Sequence, residues 1–216
     1  MGCPGQYGYI GKVSSQRTRG VGAAHDERQH QIVDAVLALI GEQGLDGISL
    51  RDVATKAGVS LGRVQHYFRT KDQMLRAAFE RVNDLGAALV GQRLADAGDS
   101  SPRTVIRAIA TELLPIDDLH RHALQVGMAF TARALVADDF AARLKAGYGE
   151  LHNLLVLLLT TARDAGDTRP DLDIDHEARL LLSLIDGLST HTLIGHHTPD
   201  TALAVVDTCL DRVFTS

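Results

Sequence analysis

Apolar residues along this chain recur at intervals of three and four rather than two. Ile32, Val36, Leu39 and Ile40 form one such series, widened by Val33 and Leu37, and predict a helix near Glu27–Gln43. Gly44 ends it, because glycine accepts the left-handed backbone that closes a helix. A short helix over about Leu50–Ala57 follows. Ser49 opens it, with Asp52 three residues on in a capping-box arrangement. Gly58, Val59 and Ser60 make a tight turn, and Ser60 caps a third helix from Leu61 to about Tyr67. Thr70 and Gln73 form a second capping box for a fourth helix, in which Met74, Ala78, Val82, Leu85 and Leu89 share a face.

The same periodicity continues. Asp96–Ser101 is a break, Ser101-Pro102 opens a fifth helix, and Pro115 closes it. A sixth, about Asp118–Val136, is apolar on two sides. Leu119, Val126, Phe130 and Ala137 lie on one, and Leu124, Met128, Thr131 and Leu135 on nearly the opposite one. Such a helix is expected to be surrounded by others. A seventh covers roughly Asp139–Ala165, an eighth Asp175 to about His196, and a ninth runs from the Thr198-Pro199 cap to near Phe214. No strand run or internal repeat is present. The expected fold is all-α, about nine helices, in three parts: an N-terminal arm (1–24), a helix-turn-helix domain (25–82) and a larger helical domain (83–216).

Composition agrees with helices: 45% of the 216 residues are apolar, mainly Ala and Leu, only 4% are aromatic, and Trp is absent. The net charge of −5 conceals an asymmetry. Up to Val82 there are 11 Lys and Arg against 8 Asp and Glu; beyond it there are 11 against 19. A basic first third on an acidic body suggests a localised polyanion site. The arm carries Lys12, Arg17 and Arg19 and no acid. It reads either as a disordered tail or as a basic arm that reaches DNA. Cys3 and Cys209 have no neighbours at metal-ligand spacing and read as free thiols. The longest apolar run, Leu154–Leu159, is far shorter than the ~18–20 residues of a membrane span, and no signal-peptide pattern is seen. A cytoplasmic protein with no membrane partner is expected.

The chemistry concentrates in residues 49–71, S-L-R-D-V-A-T-K-A-G-V-S-L-G-R-V-Q-H-Y-F-R-T-K. Two short helices around a Gly-containing turn read as a helix-turn-helix. Val53, Ala54, Ala57, Val64 and Phe68 supply its small core. Leu61, Gly62, Arg63, Gln65, His66 and Tyr67 remain on the exposed side. Arg63 suits guanine and Gln65 adenine in the major groove. Arg51, Tyr67 and Lys71 are placed for phosphates or flanking bases, and Ser60 starts the recognition helix.

Over residues 28–82 the chain resembles the tetracycline-repressor (TetR) family of bacterial regulators. The resemblance implies a three-helix DNA-binding domain followed by a divergent helical domain that binds a small effector and dimerises through its last two long helices. It matches the family's recognition helix to Leu61–Tyr67, its contact at the start of the preceding helix to Arg51, and its phosphate-binding lysine to Lys71. Two positions depart from the common pattern: Arg63 stands where Thr is frequent, and Gln65 where Tyr usually touches phosphate. The stretch 169–188, R-P-D-L-D-I-D-H-E-A-R-L-L-L-S-L-I-D-G-L, looks like the family's entry into its eighth helix.

The function expected is a DNA-binding regulator, a repressor released from a palindromic operator by a small-molecule effector. The alternative is a helical enzyme or adaptor whose helix-turn-helix is incidental. A homodimer is expected, because two-fold proteins read palindromes. Its interface is expected on Leu181, Leu184, Ile185, Leu188 and Thr192, with Val205, Cys209 and Val213. Pocket candidates are Phe130, Arg133, His152 and His191, each large or polar on an apolar face. Arg133 either meets an anionic ligand or pairs with an acid.

No cofactor and no metal site is expected. His191 precedes His196 by five residues, off the i, i+4 register that sets two ligands on one face. Asp171, Asp173 and Asp175 alternate as in a calcium loop, but His176 replaces the glycine and Leu182 the final glutamate. His176-Glu177 begins a zinc-protease motif, yet Leu180 stands where the second histidine belongs.

Overall fold

The helix caps legible in the sequence are met by hydrogen bonds. In the computed structural model the backbone is described for residues 21–215, and the side chains for all of these except residues 21–26, 45 and 46. Nine helices follow among the described residues: α1 (Val21–Gly47), α2 (Leu50–Lys56), α3 (Leu61–Tyr67), α4 (Lys71–Ala97), α5 (Pro102–Glu112), α6 (Asp118–Ala134), α7 (Asp138–Ala165), α8 (Ile174–Leu193) and α9 (Pro199–Val213). The side chains of Ser49, Ser60, Thr70, Ser101 and Thr198 each accept an N–H from the first turn they cap. Residues Thr168 and Phe214 form an isolated antiparallel bridge, and the Thr215 N–H donates to the Asp167 carbonyl at 2.8 Å. No helix among the described residues is long and apolar enough to cross a membrane.

Three boundaries differ from expectation. Helix α1 begins at Val21, so residues 21–24 of the expected arm are helical; residues 1–20, with Cys3, Lys12, Arg17 and Arg19, lie outside the described residues. Gly44 interrupts α1 as expected, at φ 70°, ψ 167°, and one further turn follows it. Helix α8 ends at Leu193, three residues before the expected His196, because Gly195 takes φ 79° and reverses the chain.

The buried side chains form two cores. The C-terminal one joins α5, α7, α8 and α9 through Ile106, Leu155, Leu159, Leu181, Ile185 and Leu210, among others. The N-terminal one joins α1, α2, α3 and the start of α4, and it also takes in Val126 and Phe130 of α6 and Phe140 of α7. Helix α4 has 27 residues, about 40 Å, and serves both. Its Met74, Leu75 and Ala78 lie in the first core, while Val90 packs on the second. The expected boundary at residues 82–83 therefore falls inside a continuous helix.

Helix α6 is the junction. Its Phe130 ring stacks on Phe79 of α4, with centroids 3.9 Å apart, and meets Phe140 at 4.7 Å. Arg133 grips Asp72 through two nitrogens, with contacts of 2.8–3.2 Å, and Arg76 pairs with Asp139 of α7. At its other end, buried His120 bridges Asp117 at 2.6 Å and Glu112 of α5 at 2.9 Å. The face with Met128 and Leu135 is not surrounded, contrary to expectation. Leu135 is 82% exposed and Met128 38%, and Leu119, expected on the inward side, is 58% exposed. Helices α1, α4 and α7, with α8 at one end, pack on α6 and leave these side chains open.

The α1–α6 approach depends on Gly41. A methyl group there would stand 2.7 Å from Cγ and 2.9 Å from Nε2 of the His122 ring. Alanine improves helix propensity by about 1 kcal/mol, but overpacking costs roughly 1–3 kcal/mol. Gly41→Ala should therefore lower the melting temperature, whereas in a His122→Ala background the same change should raise it. Equal effects in both backgrounds, measured by thermal denaturation, would remove this contact from the account.

Candidate nucleic-acid interface

The geometry of α2, the turn and α3 follows from local hydrogen bonds. The Ser49 hydroxyl accepts the Asp52 N–H at 3.3 Å, and the Asp52 carboxylate accepts the Ser49 N–H at 2.7 Å. Hydrogen bonds from the Ser49 hydroxyl and N–H hold the Asp52 carboxyl below the usual carboxylate range. The turn is a Schellman closure at Gly58, φ 64°. The Gly58 N–H donates to Thr55 at 3.2 Å, and the Val59 N–H reaches back to Ala54 at 3.0 Å. This reversal sets α3 across α2 with Val53, Ala54, Ala57, Val64 and Phe68 buried between them, as the sequence predicted. Gln31 of α1 donates to the Ala57 carbonyl at 3.0 Å and ties α1 to the same corner.

Burying Val64 and Phe68 turns the other side of α3 outward. Gly62, Arg63, Gln65 and His66 are exposed, Leu61 and Tyr67 are half-buried, and the cap Ser60 is exposed at the helix start. Ser60, Arg63, His66 and Tyr67 line one shallow concavity, and the His66 and Tyr67 rings meet edge to face at 5.4 Å. Arg51 on α2 and Lys71 at the start of α4 are exposed as well. Residue Arg69, absent from the sequence-based set, is also exposed. It precedes the Thr70 cap, and its N–H donates to Gln73 Oε1 at 2.6 Å. In the second capping box, then, the return bond goes to Arg69 rather than to Thr70.

The charge balance here favours an anion. Of the nearby acids, Asp52 is engaged in its cap and Asp72 with Arg133. Against these two acids stand Arg51, Arg63, Arg69 and Lys71 besides Arg133, and the charge of Lys71 also acts on Asp52. The hydrogen bonds and charge of Asp72 hold the Arg133 guanidinium more firmly protonated than usual.

The other residues singled out from sequence are not brought together. Phe130 is buried in the N-terminal core and floors a shallow cleft with Arg76, Phe79, Glu80, Asp139 and Arg143. Arg133 is engaged in the ion pair with Asp72, which is the acid-pairing alternative. His152 lies 3.1 Å from Asp175 in the first turn of α8, whereas His191 is in the last turn. Sixteen residues of helix, about 24 Å, separate Asp175 from His191, so His152 beside Asp175 and His191 do not line one small pocket.

The residues expected between protomers divide as well. Leu181, Ile185, Leu188, Thr192 and Val213 are buried in the protomer's own C-terminal core, with Leu188 only 6% exposed. Leu184, Val205 and Cys209 remain wholly or partly outward, together with Leu180. The Leu181–Ile185–Leu188 stripe of α8 expected between protomers faces inward instead, because α5, α7 and α9 cover it. Burial, and then the charge of Glu177, push the Cys209 thiol up, in keeping with an unreactive free cysteine.

Comparison with known proteins agrees with this geometry. Residues 32–78 match the model for bacterial regulatory proteins of the tetR family, and residues 102–215 match the C-terminal model of BetI-type transcriptional repressors. The chain is 33% identical over 174 residues to the HTH-type transcriptional regulator PksA of Bacillus subtilis, covering 79% of this chain and 80% of that protein. It is 29% identical over 179 residues to the HTH-type regulator BetI of Burkholderia mallei, covering 82% and 88%. A transcriptional regulator from Rhodococcus sp. RHA1 superposes with a TM-score of 0.72 at 27% identity, over 86% of this chain and 95% of that one. These are regulators, so the alternative of a helical enzyme or adaptor with an incidental helix-turn-helix is set aside. Two matched segments, one on the DNA-binding corner and one on the C-terminal helices, identify a DNA-binding transcriptional regulator: the chain belongs to the tetR family.

Proposed function

We propose that two copies of this chain read a palindromic operator through α3, acting as a repressor that a small-molecule effector in the C-terminal domain releases. The observation that supports this most is the outward face of α3 between exposed Arg51, Arg69 and Lys71. Arg63 and Gln65 are the base-reading side chains, Arg63 toward guanine and Gln65 toward adenine. Ser60, Leu61, Gly62, His66 and Tyr67 complete the surface. Arg51, Arg69 and Lys71 hold phosphates and set the register. Residues 25–82 act as the DNA-binding part and residues 83–216 as the effector and dimerisation part, working in the cytoplasm where the operator is.

Two recognition helices must sit about 34 Å apart, or a multiple of this, to meet successive major grooves on one side of DNA. A second copy seated on α8 and α9 supplies that spacing. Leu180 and Val205 are 48% and 36% exposed and, with the half-buried Leu184 and Cys209, are the apolar side chains these two helices would offer it. Pairing two copies through them gives a four-helix bundle. Effector release needs a ligand that favours one spacing of the recognition helices over another. Arg133 and Asp72 are the most direct route for that preference. They connect α6 to the turn of α4 that immediately follows α3.

Arg63→Ala should weaken operator binding about 5- to 150-fold, and relax selectivity at one position of each half-site. Titration against operator variants checks this; equal weakening on every sequence would instead make Arg63 a phosphate contact. Lys71→Ala should weaken specific and nonspecific DNA alike and flatten the salt dependence by about one unit per half-site. An unchanged slope would remove Lys71 from the phosphate contacts. Leu184→Glu should give folded monomers by light scattering and lose operator affinity. A charge at Leu188, by contrast, would break the protomer's own core. A Leu184→Glu dimer with full operator affinity would place the interface elsewhere.

A further inference from the structure

The turn after α8 gathers three histidines that the DNA-binding reading does not use. On a continuing helix, residues five apart point about 140° away from each other. Helix α8 does not continue. Gly195 at φ 79° closes it in a Schellman motif. The Gly195 N–H donates to Thr192 at 3.0 Å, and the His196 N–H reaches back to the His191 carbonyl at 2.8 Å. The His197 N–H donates to the same carbonyl at 3.3 Å. This folds His196 and His197 over the last turn of α8, beside His191. Ring centroids lie 5.3 Å apart for His191 and His196, 5.4 Å for His191 and His197, and 4.5 Å for His196 and His197. One ring nitrogen from each lies within 4.8 Å of the other two.

We propose that His191, His196 and His197 form a binding site for a transition-metal dication of the zinc, nickel or copper class. Neutral imidazole is a preferred ligand for these ions. A tetrahedral ion with metal–nitrogen bonds of about 2.0–2.1 Å needs its ligand nitrogens roughly 3.4 Å apart. The nitrogens need close in by no more than about 1.4 Å. His191 and His196 are exposed and His197 is half-buried, so small side-chain rotations achieve this without disturbing a packed core. The negative end of the α8 dipole also favours a cation there. Arg121 opposes it: its Nη1 already donates to the Leu193 carbonyl at 3.0 Å, and its charge weakens the site relative to three isolated imidazoles. The fourth position is open to water or to an added ligand. A bound ion clamps the end of α8 to the start of the α8–α9 connection.

The test is calorimetric titration of zinc chloride into the untagged, chelator-stripped full chain, with thermal denaturation beside it. The expected result is one saturable equivalent per chain and a melting temperature raised by about 5 °C or more at a hundredfold excess over Kd. Both effects should vanish in His191→Ala and in His196→Gln, and persist in His176→Ala, which removes an exposed histidine at the opposite end of α8. The substituted side chains are exposed, so the variants should keep the metal-free melting temperature. No saturable binding would overturn the proposal, as would binding that survives His191→Ala and His196→Gln unchanged.

Discussion

The structure depends on one burial: the Val126–Phe130 face of α6 packed against α1 and α4 in the core those helices share with α2 and α3. Four helical segments at the N-terminus amount to some fifty residues, a size at which a core alone is marginal. Val126 and Phe130 are each 1% exposed or less, and burial of such side chains contributes about 1.5–3 kcal/mol apiece. Phe79 and Phe140 extend the same contact to α4 and α7. The DNA-binding helices are thus completed by a helix from the part of the chain that follows them.

That constraint bears on function. A recognition helix is useful only at a defined distance from its counterpart, and here its orientation is referred to α6 by apolar packing and by the Arg133–Asp72 pair. At 40% and 36% exposure this pair is too solvated to add much stability. Its two-point geometry fixes direction more than it contributes energy. Arg81 with Asp34, a single contact at 3.2 Å, also links α4 to α1. In the proposed function, a ligand that shifts α6 would move the start of α4 and, through it, α3.

Much of the N-terminal third was legible because its determinants are local. Ser49 with Asp52, Ser60 and Thr70 cap helices within three residues of themselves, and Gly58 turns the chain on its own. The outward set on α3 follows once Val64 and Phe68 are placed inside. The C-terminal half was less legible, because its decisions are made between distant residues. Helix α8 carries apolar residues on adjacent faces, and only the positions of α5, α7 and α9 decide that Leu181, Ile185 and Leu188 go inward while Leu180 stays out. Arg133 read either as a ligand contact or as half of an ion pair, and the sequence does not point to its partner Asp72, 61 positions away. Likewise, the spacing of His191 and His196 argued against proximity, because it assumed that the helix ran on past Gly195.

With this packing, α6 and the DNA-binding helices open as one unit. Native-state hydrogen exchange on the full chain, comparing the parent with Val126→Ala, tests it most directly. The cavity left by Val126→Ala should cost about 2–3 kcal/mol, and amides in α1, α2, α3 and α6 should lose protection together by a common amount. Loss of protection confined to α6, with α1–α3 unchanged, would contradict it.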